Sequence, residues 1–282
     1  MNLSVKEFQD WGNKCITLLG MSGVGKTRLA NILMNSNWFH FSGDYRIGTR
    51  YLDEDILDNI KLQAMQVPFL RDLLSSDSIY INNNISVYNL QPVASFLGKI
   101  GDPLRGGLPQ KEFVHRQELH RKAEIAAMMD VPEFINKARE IYGYKHFIND
   151  AGGSICELDG TDVIRTLHEH TLILYIKATV EDEQELIRRA QDDPKPLYYR
   201  EAFLDEQVAV YMMQNDLQYI AQIDPDEFVR WIFPKLFYSR IPRYEEIAEH
   251  YGYTVTTDEL SLVDSEASFL ALVEQAVARK QP

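Results

Sequence analysis

The first chemically informative stretch is the octet from Gly20 to Thr27, which reads GMSGVGKT. It fits the pattern G-x-x-x-x-G-K-[ST], whose glycines let successive backbone N–H groups turn inward on a phosphate. Lys26 can supply a mobile positive charge to the phosphate oxygens of ATP, and Thr27 can offer its hydroxyl to Mg²⁺. The nucleotide contacts are predicted to come from Gly20, Ser22, Gly23, Val24, Gly25, Lys26, Thr27 and Arg28.

The elements around this octet are those that a phosphate-binding loop requires. KCITLLG is a short apolar run with β-branched residues, which indicates a buried strand that ends at Gly20. KTRLANILMNS then has the apolar spacing of a helix, so its positive dipole end points at the loop. The sequence therefore predicts a strand, a phosphate-binding loop and a helix in succession.

A second candidate group follows the next predicted strand, in the stretch WFHFSGDYRI, whose strand ends at Ser42–Asp44. In an open α/β sheet, ligands bind at the carboxyl ends of the strands, so Asp44 is expected near the γ-phosphate. A carboxylate there can accept a proton from an attacking hydroxyl group. Arg46 and Arg50 could hold an anionic group on the phosphate acceptor. The alternative is an Asp that caps a helix, with two solvated arginines.

A third group closes the strand in KHFINDAGGSICE, which ends in Gly152 and Gly153. Glycines at a strand end permit a ligand to approach the backbone closely, although a plain turn has the same composition. Asp150 and Glu157 are acidic candidates for Mg²⁺ or for the hydroxyl groups of an acceptor. We expect this turn to form part of the acceptor site.

The remaining pattern defines the fold class. HTLILYIKA and YGYTVTT indicate two further strands, and TVEDEQELIRRAQ and SEASFLALVEQAVARK indicate helices that are capped by Thr179 and Ser265. Strands that alternate with helices imply a parallel sheet covered on both faces. Together with the phosphate-binding loop, this pattern predicts a P-loop NTPase of the three-layer α/β/α type with a mostly helical insertion.

The predicted insertion covers residues 51–145, so the core is expected from segments 1–50 and 146–282. The insertion has helical periodicity over most of its length, and its position predicts that it binds the acceptor. SIYINNNISVYN within it indicates either a pair of strands or an irregular segment. The aromatic residues of 201–240 indicate the core of further helices or, alternatively, a partner surface.

Composition limits the partners of the protein. The formal net charge is -13 and there is no dense Lys/Arg run, so no long nucleic acid is expected. No run of about 18 apolar residues predicts a membrane span, and the N-terminus lacks an apolar signal core. The two cysteines, Cys15 and Cys156, predict free thiols in a reducing compartment, and we expect a cytoplasmic protein.

In their order along the chain, these motifs resemble the shikimate kinase group of P-loop small-molecule kinases, which includes gluconate and adenylylsulfate kinases. That group has a phosphate-binding loop, a strand that ends in an Asp-x-Asp pair, and a strand that ends in a Gly-rich turn. Asp44 matches the second Asp of the pair, Ser42 stands in place of the first, and DAGGS resembles the turn. The resemblance implies that Asp44 binds or deprotonates the hydroxyl group of the acceptor.

The resemblance continues in the C-terminal half. LILYIKATVEDEQELIRRAQDDPKPLYY is similar to the fourth strand, the next helix and the lid, which is expected at about residues 188–203. The family places a nucleotide-facing arginine just before its lid, where this chain has Arg188 and Arg189. RYEEIAEHYGYTVTT resembles the helix that enters the last strand, so Arg243 is also expected near the nucleotide.

The predicted function is ATP-dependent transfer of the γ-phosphate to a hydroxyl or anionic group of a small molecule, with Lys26, Asp44 and Arg189 as catalytic residues. Thr27 and Asp150 are the predicted Mg²⁺ ligands. One alternative is a non-kinase ATPase or regulatory nucleotide-binding module, although LILYIKA lacks the terminal acidic pair of such proteins. Another is a nucleoside or nucleotide kinase. The long insertion leaves the acceptor unnamed.

Overall fold

The computed structural model describes residues 1–280, and at its centre is a five-stranded sheet in the order β2-β3-β1-β4-β5. Every neighbouring pair of strands in this sheet is parallel. The strands are β1 (Cys15–Leu19), β2 (Trp38–Ser42), β3 (His146–Asp150), β4 (Leu172–Lys177) and β5 (Gly252–Thr256). The predicted strands are thus confirmed, and their carboxyl ends share one edge of the sheet.

Helices fill the connections between the strands, because parallel strands need crossover connections, and further helices precede β1 and follow β5. They are α1 (Val5–Asp10), α2 (Lys26–Met34), α3 (Gly43–Arg46), α4 (Asp53–Ala64), α5 (Pro68–Ser75), α6 (Gln91–Leu97), α7 (Gln110–Met129), α8 (Val131–Glu140), α9 (Val163–His170), α10 (Val180–Asp192), α11 (Glu201–Gln214), α12 (Pro225–Tyr251), α13 (Thr257–Ser261) and α14 (Glu266–Lys280). Short 3₁₀ turns cover Pro103–Arg105, Ile155–Glu157 and Ile220–Gln222, and a π-helical turn covers Ile47–Tyr51.

Helices cover both faces of the sheet. Consecutive residues of a strand point to opposite faces. The ring of Trp38 lies 5.8 Å from that of Phe269 on α14, whereas the ring of Phe39 lies 6.4 Å from that of Phe134 on α8. Helices α14 and α8 therefore lie on opposite faces, and the domain has three α/β/α layers, as predicted.

The segment between β2 and β3 is mostly helical, as the sequence predicts. Its last helix, α8, packs directly on β2 and β3 and belongs to the helical layer of the sheet. The stretch from Tyr80 to Asn89 contains no regular strand, and its only β-type pairing is the isolated bridge between Ser86 and Asn89. Of the two structures that the sequence allowed for this stretch, the irregular one is present.

A second buried cluster packs beside the sheet domain. It combines Ile100 and Phe113 from the predicted insertion with Tyr211 and Phe228 from the later helices. The aromatic residues of 201–240 therefore contribute to a helical core, as expected. Because this core takes side chains from both parts of the chain, the division between insertion and core remains a prediction.

The longest helix, α12, runs for 27 residues and connects the two hydrophobic clusters. Its N-terminal half contributes Phe228 to the second cluster, and its C-terminal half contributes Tyr244 to the core beneath the sheet. It carries charged residues along its length. Among the helices of residues 1–280, none is long and apolar enough to cross a membrane.

Candidate active site

The glycines of the loop after β1 have backbone conformations that other residues rarely adopt. Gly20, Gly23 and Gly25 have φ angles of 144°, 91° and 98°. A Cβ on Gly20 would lie 2.7 Å from the carbonyl oxygen of Ile176 in β4, so the loop also packs too closely for a side chain there. Gly25 then caps α2. The chain has the P-loop NTPase fold.

The side chain of Lys26 lies under this loop. Its Nζ donates hydrogen bonds to the carbonyl oxygens of Gly20, at 2.8 Å, and Met21, at 3.0 Å. Burial lowers the pKa of Lys26, and the nearby carboxylates of Asp150 and Asp44 oppose this shift. The ammonium group is thus held at the centre of the loop, where a phosphate chain is bound in this fold.

Thr27 and Asp150 fit a Mg²⁺ site. The Thr27 hydroxyl donates to Asp150 Oδ2 at 2.6 Å, because β1 and β3 are adjacent and end side by side. Mg²⁺ prefers oxygen ligands and commonly takes one or two from the protein and others from substrate phosphates. No group of three or more acidic, His or Cys side chains in the described chain could hold a metal without phosphate.

The carboxylate of Asp150 also has a buried neighbour on β2. His40 Nε2 lies 3.8 Å from Asp150 Oδ2, and the His40 side chain is 4% exposed. Burial acts to raise the pKa of Asp150, but His40, Lys26 and the Thr27 hydroxyl together hold it below the ordinary value. Asp150 is therefore ionised at neutral pH, as a metal ligand must be.

Asp44 lies in the first turn of α3, directly after β2. The capping residue of this helix is Ser42, whose Oγ accepts a hydrogen bond from the backbone N–H of Tyr45 at 3.3 Å. The carboxylate of Asp44 therefore does not cap the helix. Burial, together with the charge of Asp150, raises the pKa of Asp44 to about 6, although Lys26 opposes the shift. A carboxylate with this pKa can accept a proton near neutral pH.

The glycine pair after β3 packs against both sides of the site. A Cβ on Gly152 would lie 2.7 Å from Glu124 Oε1 and 3.0 Å from Asp44 Oδ1. A Cβ on Gly153 would lie 3.0 Å from the backbone nitrogen of Ser22 in the phosphate-binding loop. The structure thus brings Gly152 and Gly153 together with Asp44 and the loop, and it explains why neither position has a side chain.

Glu124, on α7, was not predicted from the sequence. It is 0% exposed, and its Oε2 accepts a hydrogen bond from the Ser154 hydroxyl at 2.7 Å. Oε1 has no hydrogen-bond partner among the described residues. Burial raises the pKa of Glu124 to about 7, and the charge of Asp44 adds to this shift. A signal was present, since Gln117, His120 and Glu124 occupy the buried stripe of α7 at three- and four-residue spacings.

Arg240 also was not predicted from the sequence, and together with Glu157 it stabilises the glycine turn. Arg240 is 5% exposed and donates to Glu157 Oε1 at 2.9 Å and to the carbonyl oxygens of Gly153 and Tyr198. Arg200 also forms an ion pair with Glu157. Because each oxygen of Glu157 is engaged by an arginine, its carboxylate stabilises the turn and is not free to act as the metal or acceptor ligand that the sequence suggested.

Tyr244 joins the loop to the turn. Its hydroxyl lies 3.0 Å from the carbonyl oxygen of Gly153 and 3.3 Å from that of Gly20. Its ring stacks on Tyr175 of β4, with the centroids 5.2 Å apart. These contacts fix the spacing between the phosphate-binding loop and the acceptor side of the site.

A groove of about 250 Å³ extends from the loop between α10 and α13. Arg28 and Arg189 line it, together with residues of the loop, and its position suits the nucleoside part of a nucleotide. Arg189 donates to Glu185 at 2.7 Å within the groove. Arg188 lies outside the lining and pairs with the same Glu185 and with Asp192.

None of the other predicted arginines lines this groove. Arg46 donates to Asp130 at 2.8 Å, and Arg243 donates to Asp159 at 2.7 Å. Arg50 is exposed in the π-helical turn and forms no ion pair within residues 1–280. Their assignment to the acceptor or the nucleotide remains a prediction.

No protein-family model matches the chain, and no curated protein matches it. Among solved structures, the chain is similar to shikimate kinase from Bacteroides thetaiotaomicron, with a TM-score of 0.40 and 16% sequence identity. The alignment covers 94% of this chain and 95% of that chain. Similarity at this level supports no conclusion about substrate or mechanism, so the functional assignment depends on the geometry described above.

Proposed function

We propose that the protein is an ATP-dependent phosphotransferase that moves the γ-phosphate to a hydroxyl group of a small molecule. One observation carries this proposal. A carboxylate with a pKa of about 6, that of Asp44, lies in the same cluster as Lys26 of the phosphate-binding loop and the Thr27–Asp150 pair. This cluster combines a proton acceptor with the groups that bind and polarise a nucleotide triphosphate.

The donor side is built from the loop and β3. Backbone N–H groups of the loop and the N-terminus of α2 bind the phosphates, and Lys26 stabilises the charge that develops on the β- and γ-oxygens. Thr27 and Asp150 would hold Mg²⁺, which neutralises phosphate charge when it is bound. Arg189, in the groove beside the loop, is proposed to move from Glu185 to the phosphates in the transition state.

The acceptor side is built from Asp44 and the glycine turn. Asp44 accepts the proton of the attacking hydroxyl group. The oxygen of that hydroxyl group attacks the γ-phosphorus in line with the departing ADP. Gly152 lets the carboxylate of Asp44 keep its position, because a side chain on this residue would collide with Asp44 and Glu124. General-base catalysis of this kind typically contributes ~10² to 10⁴-fold in rate.

The test is ATP turnover by the purified protein with Mg²⁺, with and without fractions of a pooled metabolite extract. We expect one fraction to stimulate ADP release and to yield a new phosphorylated product. Asp44→Asn should remove this stimulation by roughly 10²-fold or more while ATP binding persists. Asp58→Asn is the matched control, since Asp58 is exposed on α4 and pairs only with Lys61.

Substantial ATP hydrolysis without an acceptor that survives Asp44→Asn would contradict the proposal. That result would instead favour a non-kinase ATPase, in which a water molecule is the nucleophile. Phosphorylation of a nucleoside or nucleotide fraction would agree with the proposed phosphotransferase function and would identify the class of its acceptor. The binding of ATP to each variant, measured with a fluorescent analogue, separates loss of catalysis from loss of folding.

A further inference from the structure

We infer that Glu124 is a second acceptor-binding carboxylate, and that the acceptor is an uncharged polyhydroxylated compound that presents two hydroxyl groups on neighbouring carbons. One hydroxyl group would be held by Asp44 and the other by Glu124. This inference rests on the proposed function and specifies the substrate class of the same site.

The position of Gly152 relates the two carboxyl groups. Glu124 Oε1 and Asp44 Oδ1 both lie within 3.0 Å of the point that a Cβ on Gly152 would occupy. They approach this α-carbon from two different helices, α7 and α3. A vicinal diol beside Gly152 could therefore donate one hydrogen bond to each carboxyl group, whereas a compound with a single hydroxyl group could satisfy only one of them.

The free oxygen of Glu124 supports a ligand at this point. Its Oε2 is fixed by the Ser154 hydroxyl, so Oε1 has a defined direction. Oε1 is buried and has no partner within the described chain. A buried polar atom without a hydrogen bond destabilises the folded chain, and such atoms in native structures commonly mark a bound group or a functional role. A hydroxyl group of the acceptor would supply the missing partner.

The charges around this point disfavour an anionic acceptor. The carboxyl groups of Asp44, Asp150 and Glu124 surround a single ammonium group, that of Lys26, which is proposed to bind the donor phosphates. The nearby guanidinium groups already have carboxylate partners, since Arg46 pairs with Asp130 and Arg240 with Glu157. An added carboxylate would meet repulsion here, whereas neutral hydroxyl groups would not.

The proposed reaction needs one proton acceptor, which is Asp44. The O–H bond of the first hydroxyl group breaks and its proton moves to Asp44. Its oxygen forms a bond to the γ-phosphorus as the bond from that phosphorus to the β–γ bridging oxygen breaks, so ADP leaves. The second hydroxyl group is not consumed and serves to orient the first. Glu124 has no exposed surface, so this face must open when the acceptor enters.

Two treatments of the pooled metabolite extract test the chemistry of the acceptor before any compound is identified. Periodate cleaves vicinal diols, and excess periodate is then quenched before ATP and protein are added. Passage through an anion-exchange resin removes carboxylates and phosphates. We expect acceptor-dependent ADP release to be lost after periodate and to be retained in the flow-through of the resin.

The inference would be overturned if the extract still supports ADP release after periodate treatment, or if the acceptor binds to the resin. The proposed phosphotransferase function would stand in either case. Retention on the resin would instead show that the acceptor is anionic. If the untreated extract supports no phosphotransfer, the proposed function fails and this inference fails with it. The three results are therefore distinguishable from one another.

A variant pair tests the role of Glu124 itself with the active fraction. Glu124→Ala should raise the KM for the acceptor fraction at least tenfold and leave the KM for ATP unchanged, whereas Glu124→Gln, which keeps a hydrogen-bonding oxygen, should restore most of the loss. Glu118→Ala is the control, because Glu118 lies on the exposed side of the same helix and pairs with Lys122. An unchanged acceptor KM in folded Glu124→Ala, judged by ATP binding, would refute a binding role.

Discussion

The hydroxyl of Thr27 lies 2.6 Å from Oδ2 of Asp150 and joins the start of α2 to the end of β3. The two residues are 123 positions apart in sequence, but β1 and β3 are neighbours, with Leu18 directly beside Asp150. The hydrogen bond leaves the lone pairs of the Thr27 oxygen and the second carboxylate oxygen free for other partners. This contact therefore places two oxygen atoms side by side, as the proposed Mg²⁺ site requires.

The first prediction concerns metal binding by this pair. Asp150→Asn should weaken the binding of Mn²⁺, used as a probe for Mg²⁺, at least tenfold in the presence of ADP, since an amide replaces a charged oxygen ligand. Thr27→Val should have an effect in the same direction. Electron paramagnetic resonance of free Mn²⁺ measures the affinity directly, without catalysis. Equal Mn²⁺ affinity in Asp150→Asn and wild type would remove Asp150 from the metal site.

The second prediction is the pH dependence of phosphotransfer. In the proposed mechanism Asp44 acts in its ionised form, and burial raises its pKa to about 6. The value of kcat/KM, which reports ionisation before the substrates bind, should therefore rise about tenfold per pH unit below 6 and level off above it. Asp44→Asn should lose this acidic limb along with most of the rate. A wild-type profile that stays flat from pH 5 to pH 8 would show that Asp44 is not the proton acceptor.

The phosphate-binding loop and the ends of β2 and β3 could be predicted because their chemistry is local. The spacing of the glycines, Lys26 and Thr27 is set by one turn of backbone, and Asp44 and Gly152 follow strands that the hydrophobic pattern reveals. Glu124 could not be assigned in the same way. Its role depends on how α7 crosses the end of the sheet, which no short stretch of sequence determines.

The arginines show the same limit. The sequence places Arg46 just after a predicted strand and Arg243 on a helix before one, but it does not show that Asp130 and Asp159 are within reach of them. An arginine pairs with the carboxylate that tertiary packing places closest to it, and this partner can lie far away in sequence. Arg240 could not be predicted for the same reason, since it lies inside a long helix and pairs with Glu157 only in the folded chain.

The third prediction separates two adjacent arginines. Arg189 lines the groove beside the phosphate-binding loop, whereas Arg188 points to Glu185 and Asp192 on the surface of α10. Arg189→Ala should raise the KM for ATP or lower kcat at least tenfold. Arg188→Ala should change either constant less than about twofold, since exposed ion pairs contribute little. Steady-state kinetics of the two variants measures both constants, and each variant is the control for the other. Equal effects of the two substitutions would contradict the assignment of the groove to the nucleotide.

The fourth prediction links Glu124 to stability. Burial raises its pKa to about 7 from an ordinary value of 4.5, so between these pH values the unfolded chain loses a proton that the folded chain retains. Fewer protons are then bound in the unfolded state, and the Glu124 contribution to stability falls as pH rises from 4.5 to 7. The loss is on the order of 3 kcal/mol and is complete above pH 7.

Glu124→Gln removes this titration, so it should stabilise the protein at pH 8 relative to wild type and have little effect at pH 4.5. Urea unfolding at both pH values gives the two differences in free energy. Glu118→Gln, on the exposed side of α7, is the control and should show no such dependence. A difference between wild type and Glu124→Gln that does not change with pH would contradict the raised pKa.

The fifth prediction concerns the missing side chain at Gly152. In Gly152→Ala, the new Cβ would lie 2.7 Å from Glu124 Oε1 and 3.0 Å from Asp44 Oδ1, so both carboxyl groups must move. Overpacking of this kind typically costs about 1–3 kcal/mol of stability. Because Asp44 is displaced from the acceptor, phosphotransfer should fall at least tenfold, while ATP binding, which depends on the loop, should persist. Gly12→Ala is the matched control, since a Cβ there meets nothing within 4 Å. If Gly152→Ala keeps full activity, the acceptor does not bind beside this glycine, and the geometry proposed for Asp44 is wrong.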